Sequence, residues 1–210
     1  MSYTHHEELH RGADVMAALA AAKITLCGAG ALGANLAENL ARAGCRQMTV
    51  IDDDRIEERN LSTQPYMRAD IGAPKARILA NNLYRAVGAE VEDVTKRLDD
   101  SNVKKLLRGS DLVLDCFDNS VSRRNVTDHC LAAGQPCLHV GLAEAYAEIV
   151  WNEVYTVPSD ANDDVCDYPL TRNLVLMAVA VAAESAIAFL ANGTKQGYSI
   201  TLTDFAVRAW

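Results

Sequence analysis

The chain has 210 residues, half of them hydrophobic, which is enough for one domain of ordinary size with a sizeable core. A formal charge of −8 excludes a broad phosphate-backbone surface, which needs clustered Lys and Arg, so no nucleic-acid partner is expected; one nucleotide held by main-chain N–H groups stays compatible with it. The cysteines (Cys27, Cys45, Cys116, Cys130, Cys137, Cys166) form no CxxC pair, so the usual zinc spacing is missing, and MSYTHHEELH carries no signal-peptide pattern, which together point to a reducing cytoplasm.

Residues 7–21 are rich in Ala and Leu and are predicted as a helix. Lys23–Cys27 (KITLC) is a short strand running into a glycine cluster, and Ala31–Ala43 is helical, with Gly44 as its stop. Gln47–Ile51 (QMTVI) is a second strand, ending in three aspartates. Residues 53–73 are polar and predict a long loop, with room for a short helix; loops of that length are usually functional. Pro74 suits the first position of a helix reaching residue 87. Strands follow at 91–95, 111–115, 136–140 and 146–155, with a helix over 119–133. Residues 158–169 are acidic and irregular, 171–191 form a helix, and 198–206 hold the last strand.

Strand and helix alternate through the first two-thirds, which builds a Rossmann-like, mostly parallel sheet covered by helices on both faces. The later strands are expected to pair antiparallel, and residues 1–210 read as a single α/β domain. The longest apolar stretch, 174–183, is shorter than the roughly 20 residues of a membrane span, so no membrane partner is expected. Its helix is apolar almost all round, as buried helices are.

Gly28-Ala29-Gly30-Ala31-Leu32-Gly33 is a G-x-G-x-x-G between a strand and a helix. Gly28 permits the tight turn, Gly30 lets the backbone approach a phosphate, and Gly33 lets helix and strand pack closely. Asp52 lies 24 residues past Gly28, at the end of the second strand, where a ribose hydroxyl can donate to it. To this point the residues specify an adenine nucleotide, either NAD or ATP.

Further segments fall at the carboxyl ends of strands, where doubly wound sheets bind ligands: Asn60-Leu61-Ser62-Thr63-Gln64, Gly72-Ala73-Pro74-Lys75, and Asp115-Cys116-Phe117-Asp118-Asn119 with Arg123 and Arg124 after it. Lys75 at a helix start suits a polyphosphate, and Asp118 suits magnesium, which prefers carboxylate oxygens and retained waters. A dehydrogenase needs neither.

This ordered set resembles the ThiF/MoeB family, which includes the ubiquitin-activating enzymes. The family pattern of glycine loop, D-x-D, N-L-x-R-Q, G-x-x-K and D-x-x-D-N is met here by GAGALG, DDD, NLSTQ, GAPK and DCFDN in the same order. The resemblance implies a Rossmann-like fold that binds Mg-ATP and adenylates a C-terminal carboxylate, usually the Gly-Gly end of a ubiquitin-like or sulfur-carrier protein, or of a peptide. It assigns Gly28, Gly30 and Gly33 to the phosphates and Asp52 to the ribose, with Asp54 as the second acid of D-x-D. It places Asn60, Gln64 and Lys75 toward the phosphates, Asp118 by the metal, and Asn119 and Arg123 at the nucleotide. In relatives the long helix supports a dimer interface, so a homodimer is expected.

Three features depart from the pattern. Thr63 stands where the family has arginine, and Arg59, Arg68 and Arg11 are the candidate substitutes. The CxxC zinc pair is missing. Cys166 is a candidate acceptor thiol, but its neighbours Asp160, Asp163, Asp164 and Asp167 would raise its pKa, so an ordinary loop cysteine is the favoured reading. His5, His6 and His10 read as a solvated terminus, and His129 and His139 as structural residues without an evident partner. Two alternatives stay open: an NAD-dependent oxidoreductase, and a non-catalytic nucleotide-binding partner subunit.

Overall fold

The computed structural model describes residues 2–158 and 169–210. In chain order the elements are α1 (His5–Arg11), α2 (Ala13–Ala21), β1 (Lys23–Cys27), α3 (Ala31–Ala43), β2 (Gln47–Ile51), α4 (Lys75–Val87), β3 (Val91–Val94), α5 (Val103–Leu106), β4 (Leu112–Asp115), α6 (Ser120–Ala133), β5 (Cys137–Ala143), β6 (Tyr146–Trp151), α7 (Arg172–Asn192), β7 (Tyr198–Thr201) and β8 (Ala206–Ala209). Among the described residues the strands form one sheet in the order β3-β2-β1-β4-β5-β6-β7-β8. The pairs from β3 to β5 are parallel and those from β5 to β8 antiparallel. This is the mixed α/β architecture that the alternation of elements predicts.

The strand order reverses between β1 and β4, and that switch point places the site. Cys27 is in register with Ile51 on one side and with Asp115 on the other. The three strands therefore end at one level, and Gly28, Asp52 and Cys116 are neighbours in space. Alternate residues of each strand serve opposite faces. Leu112 and Leu114 pack with α3 and α7, whereas Val113 packs with Val126 and Cys130 of α6.

Several boundaries differ from the sequence expectation. The first helix is two, because Gly12 between them has φ +81°, outside the helical region. Pro74 caps α4 in an extended conformation and the helix starts at Lys75. The short helix α5 was not anticipated; one turn carries too little periodic pattern to be read. Residues 198–206 are a hairpin rather than one strand: Thr201 hydrogen-bonds Asp204, Phe205 takes φ +54°, and the chain turns back as β8. Strand β6 ends at Trp151, short of Tyr155.

Helix α7 starts where the Thr171 side chain accepts the N–H of Leu174, and ends at Gly193 in the left-handed region. By length and composition it passes for a membrane span. Here it lies along α3 and over β5 to β7, with Leu174, Val175, Ala178, Val179, Ala182 and Ala186 buried in the core.

Candidate functional site

The loop after β1 is built by sterics. Gly28 has φ +98°, and a Cβ there would lie 3.0 Å from the main-chain oxygen of Cys116. A Cβ on Gly33 would lie 1.9 Å from the oxygen of Gly28, so helix α3 and strand β1 meet only if this residue is glycine. At Gly30 the nearest heavy atom to such a Cβ is Nε2 of Gln64 at 4.0 Å, leaving open space at the start of α3. That helix end presents unpaired N–H groups and partial positive charge.

Asp52 holds this loop from below. Its Oδ2 accepts the N–H of Ala29 at 2.6 Å and its Oδ1 that of Asp54 at 2.8 Å. Burial pushes its carboxyl above the usual range, against the opposing pull of Lys75 and the two amides. Tyr66 braces the same loop, donating to the oxygen of Ala29 at 2.7 Å.

Lys75, 7% exposed at the start of α4, pairs its Nζ with Oδ2 of Asp54 at 2.8 Å. Burial works to lower its pKa, but Asp52, Asp54 and Asp118 outweigh burial and raise it, so the ammonium is charged at neutral pH. The loop over residues 53–73 contains two short 3-10 turns, Glu58–Ser62 and Arg68–Asp70. Asn60 closes the first, its Oδ1 accepting the N–H of Glu57 at 2.8 Å. Gln64 is buried behind it, and its Oε1 has no partner among the described residues. Thr63 is buried too, and its main-chain oxygen accepts Asn35 Nδ2 at 3.0 Å and Arg172 Nη1 at 3.1 Å.

From β4 the chain continues through Cys116 and Phe117 to the exposed Asp118. Asn119 caps α6, its Oδ1 accepting the N–H of Ser122 at 2.9 Å. Arg123 is buried; it donates to Tyr155 Oη at 2.9 Å and to the oxygen of Val140 at 2.8 Å, and lies 3.9 Å from Asp115. Beneath it runs a polar chain. His139 Nδ1 contacts Asp115 Oδ2 at 2.8 Å, its Nε2 contacts Asn152 Oδ1 at 2.7 Å, and its ring stacks on Tyr155 at 3.7 Å. His139 thus has partners, contrary to the expectation from sequence, because β5 and β6 bring in residues distant along the chain. Burial presses the Asp115 carboxyl upward, but Arg123 and His139 prevail and hold it below the usual carboxylate range.

A cavity of about 840 Å³ opens over these groups. Of the residues singled out from sequence, Gly30, Asp54, Asn60, Gln64, Lys75, Asp118 and Arg123 line it. Gly28, Gly33 and Asp52 shape its floor, and Asp54 lines the cavity beside Lys75. Asn119 is engaged as a cap, and Cys166 lies outside the described residues. Of the candidate replacement cations, Arg11 is clamped between Glu7 and Glu184 away from the cavity, Arg68 lies 3.4 Å from Glu58, and Arg59 lines the cavity while paired to Glu57 at 2.6 Å. The sequence reading missed Tyr146, Glu148 and Tyr155 at the far end of the cavity, and Arg172 beside Thr63. Only the alternation of residues 146–155 hinted at the first three.

The model of the ThiF family matches residues 6–191. The chain belongs to the ThiF family. Among curated relatives, the SAMP-activating enzyme E1 of Haloferax volcanii is 36% identical over 61% of this chain and 48% of the relative. Adenylyltransferase and sulfurtransferase MOCS3 of Mus musculus is 40% identical over 56% and 26%, and the molybdopterin-synthase adenylyltransferase of Salmonella typhimurium 34% over 58% and 49%. The chain thus spans half or less of the length of these relatives. Solved structures show the same fold at low identity. The microcin C7 biosynthetic enzyme MccB in complex with N-formylated MccA has a TM-score of 0.85 and 18% identity over 100% of this chain and 72% of that one. E. coli MccB with ATP has a TM-score of 0.79 and 19% identity over 94% and 66%.

Proposed function

We propose that this ThiF-family chain uses ATP to adenylate the C-terminal carboxylate of a small ubiquitin-like or sulfur-carrier protein, or of a peptide, giving acyl-AMP and pyrophosphate. The observation that carries the reading is the convergence of a buried, charged Lys75, the exposed carboxylate of Asp118 and the open N-terminus of α3 on one cavity. Relatives named as adenylyltransferases and an MccB structure with ATP support it.

The chemistry asks the protein mainly to hold anions together. A substrate carboxylate oxygen attacks the α-phosphorus, the bond to the bridging oxygen breaks, and pyrophosphate leaves with that electron pair. In this reading Lys75 and the α3 amides offset the charge on the transferred and leaving groups. Asp54 and Asp52 keep Lys75 ionised, and Asp52 and Tyr66 keep the loop in shape. Magnesium fits the exposed carboxylate of Asp118 on this cavity, because a nucleotide-bound magnesium ion takes one or two protein carboxylates plus phosphate oxygens. Such an ion would neutralise phosphate charge.

We infer further that the chain is a homodimer acting in a reducing cytoplasm, with no membrane or nucleic-acid partner. The apolar outer stripe of α7 and the unpaired thiols of Cys27, Cys45, Cys116, Cys130 and Cys137 support the first two inferences. Calorimetric titration with Mg-ATP and with NAD tests the nucleotide, and ATP–pyrophosphate exchange with a carrier protein ending in Gly-Gly tests the reaction. ATP binding and carrier-dependent exchange are expected. Tight NAD binding without ATP binding would overturn the reading in favour of a dehydrogenase.

A further inference from the structure

A triphosphate brings dense negative charge, and the cations around the α3 end of the cavity differ in how much charge they have left to offer. Lys75 is paired with Asp54 at 2.8 Å. Arg123 lies 3.9 Å from Asp115 and is fixed by Val140 and Tyr155. Arg59 is paired with Glu57, and Arg55 is held in its loop by the oxygen of Gly72 and a β-bridge to Pro74. Arg172 is placed differently. It is exposed at the first position of α7, and its one hydrogen bond among the described residues goes to a neutral acceptor, the main-chain oxygen of Thr63.

The residue that supplies this acceptor lines the cavity beside the start of α3. The Thr63 oxygen is 3.0 Å from Asn35 Nδ2, which is 2.7 Å from the oxygen of Ala31, the first residue of α3. Three short contacts therefore link the Arg172 guanidinium to the first turn of α3. Swinging away would cost Arg172 one hydrogen bond to a neutral carbonyl. Bonds from a guanidinium to phosphate are stronger, because both partners are charged and the fork can engage two oxygens.

We propose that Arg172 is a phosphate-binding residue of this site: on nucleotide binding it leaves the Thr63 carbonyl and donates to phosphate oxygens, supplying the positive charge that Thr63 lacks. The proposal rests on the ATP reading and deepens it. Its test is calorimetric titration of the whole chain with Mg-ATP and with adenosine. The variant Arg172→Gln keeps an N–H donor for Thr63 and removes the charge, and the double variant Thr63→Arg/Arg172→Gln returns a cation to the same corner. Arg172→Gln is expected to bind Mg-ATP about tenfold more weakly, with adenosine affinity and melting temperature unchanged, and the double variant to recover most of the loss. Unchanged Mg-ATP affinity, or an equal loss for ATP and adenosine, overturns the proposal while leaving the ATP reading standing. Failure of the unmodified chain to bind Mg-ATP overturns both.

Discussion

A methyl group added at Gly33 would lie 1.9 Å from the oxygen of Gly28, and the obstacle is backbone, not a side chain that can move aside. Gly33→Ala is therefore expected to destabilise the chain by about 2 kcal/mol or more, read as a lower midpoint in urea, and to abolish nucleotide binding in what still folds. Lys75 fails differently. Lys75→Ala removes the cation that offsets Asp52 and Asp54, so carrier-dependent pyrophosphate exchange should fall by about 100-fold or more, and exchange at the unmodified rate would count against a role for Lys75. Both residues were legible in the sequence, since a glycine spacing and a lysine at a helix start carry their physics locally. Asp52 was legible only as an acid at a strand end. That it supports the loop from below, while Asp54 lines the cavity beside Lys75, depends on the turn after β2, and no local pattern encodes that.

At the scale of elements, β4, β5 and α6 are joined by Asp115, His139 and Arg123, all buried. Their union comes from pairing in which Asp115 is in register with His139, 24 residues apart, so the sequence read His139 as partnerless. The long helices α3, α4, α6 and α7 were readable to within a residue or two. The hairpin of β7 and β8 was not, because its turn rests on a side-chain bond from Thr201 to Asp204 and on Phe205 in the left-handed region. The buried group also sets a pH dependence. The fold holds Asp115 below the usual carboxylate range, so the unfolded chain takes up the proton more readily. The stability this residue contributes is complete above its unfolded pKa, about 3.9, and is lost as pH falls through the lower folded value. Asp115→Asn leaves Arg123 buried without its counter-charge and should cost about 3–5 kcal/mol at neutral pH. It should also flatten the acid limb of a melting-temperature profile below about pH 4. An acid limb as steep as that of the unmodified chain would show that other carboxylates set it.

For the whole molecule, α7 has an inner and an outer face of opposite fate. Its inner residues fill the core, but the middle of its outer stripe, between Arg172 and Glu184, carries Leu176, 42% exposed, and Ala180. Beside them β8 is an open sheet edge bearing the exposed Val207, with Trp210 after it. Between α7 and these strands lies a hollow of about 470 Å³ lined by Ala180, Val181 and Val207 together with the polar Glu184, Ser185 and Gln196. An uncovered edge and an apolar stripe are liabilities for a lone protomer, and a two-fold interface covers both at once because each surface meets its own copy. Light scattering on the eluting peak should therefore give twice the monomer mass at micromolar concentration. Leu176→Asp puts a charge into that interface and nothing into the core, so it should shift the mass toward one protomer without lowering the melting temperature of the dissociated chain. A single-protomer mass for the unmodified chain would remove the dimer from the proposal and leave the α7 stripe for some other covering surface.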